Sequence, residues 1–155
     1  EIRDLETAKI AVQASLTGHL VLATLHTNDS VSAIVRLVDM GIEPYLLSST
    51  LNGVLAQRLV RKICIFCQNT MPKVTNCEKC NFSGFKGRTG IYEFFQINDE
   101  IRASIKESND PNLLRQTAMK FGMNSLFNEG ARLVSEKITS MEEINRVISL
   151  AEEQN

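Results

Sequence analysis

The stretch "HLVLATLH", residues 19–26, decides how the chain is read. Leu20, Val21, Leu22, Ala23 and Leu25 form a nearly unbroken apolar run. A strand buried on one face alternates with polar residues, whereas one buried on both faces reads as a short continuous run. Residues 20–25 are therefore predicted as a central strand of a parallel sheet. Parallel neighbours need crossover connections, and the flanking sequence supplies the helices for them. "LETAKIAVQASLTG" (5–18) has helical spacing and Gly18 where a helix ends. "TNDSVSAIVRLVDMG" (27–41) offers Asn28 and Asp29 as caps and Gly41 as a stop. "EPYLLSSTLNGVLAQRLVRKI" (43–63) predicts a helix from about Pro44 and a strand near Val54 to Ile63. Helix, strand, helix, helix, strand in this order is the pattern of an α/β layer structure.

Beyond residue 63 the texture changes twice. A polar, turn-rich segment holds all four cysteines, and "GFKGRTGIYEFFQI" (84–97) then predicts a strand over Ile91–Ile97. From Asn98 onward the chain reads as helices. Asn98 or Asp99 opens the first, and "DPNLLRQTAMKFG" (110–122) carries Pro111 in its first turn and Gly122 after its end. "NSLFNEGARLVSEKI" (124–138) is the third, and "SMEEINRVISL" (140–150) opens with a capping box, Ser140 and Glu143. The expected organisation is an α/β core over 1–63, a metal-binding insert over 64–80, a return to the core over 81–97, and a helical subdomain over 98–155.

Charge narrows the partners. Seventeen Lys and Arg stand against eighteen Asp and Glu, so the net charge is −1. Nucleic-acid binding usually leaves a basic excess, and none is present. No apolar run approaches the roughly 18 residues of a membrane-spanning helix, and the N-terminus lacks the basic-then-apolar design of a secretory signal. A cytoplasmic location is expected.

Cys64-x2-Cys67-x9-Cys77-x2-Cys80 is the strongest chemical signal. Two residues between cysteines let both sulfurs face one ion, and two such knuckles complete a tetrahedral thiolate site. Zinc is favoured, with iron open to the same ligands. Four protein ligands leave no open position, so a structural site is expected.

The opening "EIRD" and the two histidines are more ambiguous. A carboxylate at the end of a buried parallel strand is where nucleotide-hydrolysing α/β folds place their metal and water chemistry. Glu1 would orient or deprotonate an attacking water there, with Arg3 or Asp4 holding it in register. A solvated turn is the plain alternative. His19 and His26 lie seven apart, which aims them at opposite faces of a regular strand. Both reach one ligand only if the strand ends pass into loops.

"EIRDLETAKIAVQASLTGHLVLATLHTNDSVSAI", "GVLAQRLVRKIC", the paired Cys-x-x-Cys units and "GFKGRTGIYEF" together resemble the ATPases of type II secretion and type IV pilus assembly. The resemblance covers nearly the whole chain, with the helical tail least specific. It implies part of a RecA-like P-loop NTPase core, with ATP and Mg²⁺ as cofactors. Glu1 matches the catalytic glutamate that closes the Walker B strand. His19 and His26 match the "His box" that senses the γ-phosphate, and Arg3 and Asp4 lie within the same nucleotide-facing segment. Cys64, Cys67, Cys77 and Cys80 match the family's tetracysteine zinc motif. The family further implies a homo-hexamer, partners in the inner-membrane platform and the cytoplasmic part of the machine, and peripheral attachment to the inner membrane through them. No nucleic-acid partner is expected.

Two departures stand out. The nine residues between knuckles are fewer than the family pattern, and the sequence contains no G-x-x-x-x-G-K-[ST] phosphate loop. The chain is accordingly expected to be the C-terminal third of a larger ATPase and to hydrolyse no ATP at a useful rate alone. A zinc-ribbon interaction module without catalysis is the alternative, although only Lys73 and Lys79 lie between the outer cysteines. "FKGRTG" reads as a tight turn, with an approach of Arg88 to nucleotide as its other reading.

Overall fold

A computed structural model describes residues 1–68, 77–108 and 110–152. Eight helices and two strands are present among them: α1 Leu5–Leu16, α2 Ser30–Asp39, α3 Pro44–Thr50, β1 Gly53–Ile63, α4 Ile65–Gln68, β2 Phe85–Gln96, α5 Asp99–Glu107, α6 Pro111–Lys120, α7 Leu126–Ser135 and α8 Met141–Glu152. Their starts follow from local chemistry. Asp4, Asp29, Asn98, Asp110 and Ser125 each accept a first-turn N–H of the helix they precede, and Pro44 and Pro111 occupy first-turn positions where no N–H is needed. Gly18 and Gly41 take φ of 91° and 100° after α1 and α2, a left-handed conformation that a side chain would strain.

The sheet differs from the sequence expectation. It has two strands, β1 and β2. Ile97 N–H donates to Asn52 O at one end, and Cys64 N–H donates to Gly84 O at the other, so the pair is antiparallel rather than parallel. Between these two bonds β2 uses one residue more than β1. One extra residue in β2 amounts to a β-bulge, and within β2 Gly87 takes a left-handed φ of 78°. The predicted central strand over 20–25 forms no ladder: Leu20 and Leu22 are 80% and 88% exposed. A central strand needs a paired neighbour along each edge, and β1 and β2 pair with each other instead. In residues 19–26, His19 N–H donates to Ala14 O at 3.1 Å and Thr24 O accepts from Ile2 N–H at 2.8 Å.

The chain divides into two compact units, residues 1–56 with 93–124, and residues 57–92 with 125–155. Of the helices after residue 98, α5 and α6 lie in the first unit and α7 and α8 in the second. α5 and α6 pack with α3 and α2 in the first unit, because Ile101, Ile105, Leu114 and Ala118 join Val31, Ile34, Ile42, Leu47 and Phe95 in one core. Each such fully buried aliphatic or aromatic side chain contributes about 1.5–3 kcal/mol. Within the described residues, no helix is long and apolar enough to cross a membrane.

In the second unit α7 packs on α8, and Gly130 makes this possible. A Cβ there would lie 2.8 Å from buried Ile144. The free edge of β1 is covered by the α7–α8 connection. Ile63 N–H donates to Ile138 O at 2.8 Å, and Thr139 Oγ1 donates to Arg61 O at 2.8 Å. Glu143, a buried acid, accepts from Arg61 N–H at 3.0 Å and takes guanidinium bonds from Arg61 and Arg146, each as short as 2.7 Å. Ser140 Oγ accepts from Glu143 N–H as one half of the expected capping box, while the Glu143 carboxylate turns to the arginines.

The Arg146 bonds, and after them those from Arg61, hold the Glu143 carboxyl down at about 2. A carboxyl whose folded value lies below its unfolded value, about 4.3, stabilises the fold above that unfolded value and stops doing so as protons bind. The unfolding midpoint of the wild type should therefore fall as pH drops from about 5 to about 2. In Glu143→Gln the midpoint at pH 7 should be lower and this acid-dependent fall smaller, as thermal melts across that range would show.

Candidate functional site

The Ile2–Thr24 backbone bond sets the register of two extended segments, and that register brings their ends together. Glu1 Oε1 lies 2.7 Å from His26 Nε2, and Glu1 Oε2 accepts from Arg3 Nη2 at 2.6 Å. Both partners are open to solvent, their side chains 89% and 74% exposed, while Glu1 is more sheltered at 28%. The Arg3 bond, with the charges of Arg3 and then His26 adding to it, lowers the Glu1 carboxyl to about 2. The group is thus an ionised carboxylate flanked by an imidazole and a guanidinium.

Of the other residues expected here, Asp4 caps α1, accepting from Thr7 N–H at 2.8 Å, and this bond lowers its pKa. His19 sits after the C-terminus of α1, its Nδ1 3.1 Å from Thr17 Oγ1, so the structure does not join it to the Glu1–His26 pair. Arg88 lies exposed on β2; "FKGRTG", read from the sequence as a tight turn, is instead the first half of that strand, with Gly87 at φ 78°.

After His26, sequence reasoning read Asp29 as a helix cap and passed over Glu93. Asp29 caps α2 through Ser32 N–H at 2.7 Å and is clamped by Arg115 Nη2 at 2.6 Å. Glu93, 1% exposed on β2, accepts from Ser30 N–H at 2.9 Å and from Ser30 Oγ at 2.5 Å. The signal was available: Glu93 stands at a core-facing position between Ile91 and Phe95, where strand alternation calls for an apolar residue.

The four cysteines converge. Their sulfurs all lie within 4.8 Å of one another, and Cys67 Sγ is 3.7 Å from Cys80 Sγ. Four sulfurs each about 2.3 Å from one ion at a tetrahedral centre stand roughly 3.8 Å apart, so the spacing fits a tetrathiolate ion without rearrangement. Cys64 closes β1 and Cys67 lies in α4. Cys77 and Cys80 flank a single 3₁₀ turn, Glu78–Cys80, which Asn81 and Phe82 leave in left-handed conformations. Burial pushes the Cys67 thiol up to about 12, and its sulfur neighbours add to that shift. Burial acts on Cys80 too, but the Gly84 N–H and the neighbouring thiols bring it down to about 7. Residues 69–76, which include Lys73, lie outside the described residues.

The family model for type II/IV secretion system proteins matches residues 1–146. The chain belongs to that family. Among secretion-family relatives, the type II secretion system protein HxcR of Pseudomonas aeruginosa is 55% identical over 150 residues, 95% of this chain and 32% of that protein. The type IV pilus assembly ATPase TfpB of Acinetobacter baylyi is 42% identical over 172 residues, 97% of this chain and 29% of that protein. The chain therefore spans about a third of the length of these secretion-family relatives. The solved pilus retraction motor PilT with bound ADP superposes with a TM-score of 0.71 at 30% identity, covering 94% of this chain and 37% of that one. The α/β fold class expected from the sequence is the fold of these secretion-family proteins.

Titrating the reduced protein with Co²⁺ should give one equivalent of binding with the intense thiolate-to-metal absorption of a tetrahedral site, and Zn²⁺ should displace it. Cys80→Ser should bind at least tenfold more weakly and lower the unfolding midpoint, since metal and folding free energies are shared. Absorption without saturation at one equivalent would speak against a single closed site.

Proposed function

We propose that this chain forms part of an ATPase that powers type II secretion or type IV pilus assembly. The observation that carries the reading is the Glu1–His26 pair at 2.7 Å, assembled on the fold of an ADP-binding pilus motor. The phosphate loop would come from the part of the relatives' length that this chain does not span, because no G-x-x-x-x-G-K-[ST] occurs in its sequence. On this reading the 155-residue chain alone turns over no ATP at a useful rate.

ATP with Mg²⁺ would supply the transferable phosphoryl group and the charge that neutralises it. The chain's own residues would do the rest. Glu1, held ionised by Arg3, accepts a hydrogen bond from the attacking water and fixes its direction. His26 donates from Nε2, bonded to Glu1 at rest and turning to the terminal phosphate when one is present. Arg3 balances the carboxylate. Asp4 fixes the start of α1 just behind them, and His19 would join only if nucleotide draws its segment in.

The four cysteines would hold a structural Zn²⁺ that pins the end of β1 to the start of β2. In the whole protein the reading further assigns a ring of six copies, contact with the inner-membrane platform and cytoplasmic components of the machine, and a cytoplasmic location at that membrane. The compact sulfur cluster also favours a second reading, in which the knuckle is an interaction module and catalysis lies elsewhere.

Substituting Glu1→Gln in the full-length protein tests the choice. The expected result is turnover reduced about 10²–10⁴-fold with nucleotide binding intact. Wild-type turnover in that variant would favour the interaction module.

A further inference from the structure

We propose that Glu93 is the positioning residue for His26, acting through Ser30; this rests on the reading of His26 given above. Glu93 is 1% exposed and lies on the strand face that otherwise carries Ile91, Phe95 and Ile97 into the interior. A buried carboxylate at such a position costs stability unless several donors meet it, and an apolar residue of similar volume is often at least as stable there. Its presence calls for a task that Ile or Val could not perform.

The donors identify the task. Glu93 accepts from the backbone N–H of Ser30 at 2.9 Å and from its hydroxyl at 2.5 Å, while that hydroxyl also lies 3.6 Å from Met123 Sδ. Ser30 is the first residue of α2, so the carboxylate sits where the helix presents unpaired N–H groups and favours negative charge. Only Thr27, Asn28 and Asp29 separate Ser30 from His26. That short turn is held at its other residues as well: Thr27 Oγ1 donates to Asp29 O at 3.2 Å, and Arg115 clamps the Asp29 carboxylate at 2.6 Å.

His26 needs such support because its ring has almost none of its own. With 89% of its side chain exposed, packing does not orient it, and its place is set by its bond to Glu1 and by the backbone that carries it. Glu93 anchors that backbone from the interior, Arg115 from α6. A fixed backbone beneath a phosphate-sensing imidazole is the functional return on the buried carboxyl; displacing a catalytic group by about 1 Å costs on the order of a hundredfold in rate.

The test is a double-mutant cycle in the full-length protein, reading ATP turnover, with Glu93→Gln and His26→Ala singly and together. Ser30→Ala removes the hydroxyl contact without touching the buried charge and stands in if the Glu93 variant fails to fold. Glu93→Gln should lower kcat roughly ten- to a hundredfold, and Ser30→Ala by a smaller factor. Neither should lower turnover further once His26 is Ala. In nitrogen-edited spectra, the His26 imidazole resonance, assigned by its loss in His26→Ala, should shift and broaden in both variants while that of His19 stays put. Wild-type kcat in Glu93→Gln, losses that multiply with that of His26→Ala, an unmoved His26 resonance, or no loss in His26→Ala itself would each overturn the assignment. Full turnover in Glu1→Gln would overturn the role given to Glu1 while the Glu93–His26 coupling is scored separately.

Discussion

The backbone ladder between β1 and β2 is the element on which both compact units are built. Each unit takes one end of the antiparallel pair: residues 53–56 with 93–96 in the first, and 57–63 with 85–92 in the second. Two strands with nothing beside them are marginal in water. Each end is therefore stabilised by what covers it. In the first unit Phe95 and Ile97 carry β2 into a core closed by α2, α3, α5 and α6. In the second, the α7–α8 connection bonds to the outer edge of β1, and Glu143 ties Arg61 of that strand to α8. Arg61 also lies over the Phe85 ring, 4.3 Å from its centroid, which fastens β1 to β2 across the ladder.

The same ladder delivers the chemistry to its places. At one end Cys64 and Gly84, joined backbone to backbone, open and close the loop that gathers the four sulfurs. Further along β2, Glu93 turns inward to the start of α2. A strand can do both because successive side chains face opposite ways: Tyr92 and Phe94 stay outside while Ile91, Glu93 and Phe95 go in. β2 carries one residue more than β1 between the bonds at its two ends, and Gly87 within it is left-handed.

The Glu1 group is of another kind. Its Arg3 and His26 side chains are exposed, and the backbone bond between residues 2 and 24 assembles it. Exposed ion pairs contribute little to stability, so what keeps this arrangement in place is the backbone on either side: Asp4 capping α1 after Glu1, and Glu93 and Arg115 fixing the turn after His26. The division of labour is physical, with buried bonds setting the frame and solvent-facing groups left free to meet a ligand.

The sequence by itself determined the features that local chemistry controls. Caps at Asp29 and Asn98, and glycine stops after α1 and α2, are legible because a cap needs a short polar side chain and a stop needs a left-handed residue; Asp4, read as part of the nucleotide-facing segment, caps α1. The convergence of Cys64, Cys67, Cys77 and Cys80 was equally legible, since knuckle spacing is a local rule. Tertiary structure alone decided what depends on partners distant in the chain. The run Leu20–Leu25 has the composition of a doubly covered strand, yet composition cannot say which segments pair, and here β1 and β2 pair with each other. The assignment of α5 and α6 to the first unit rests on contacts from Ile101, Ile105 and Leu114 to residues more than fifty positions away. So does the bond from Ser30 to Glu93: a carboxylate out of pattern on a strand marks a buried charge, but only the fold reveals which donor it was placed there to meet.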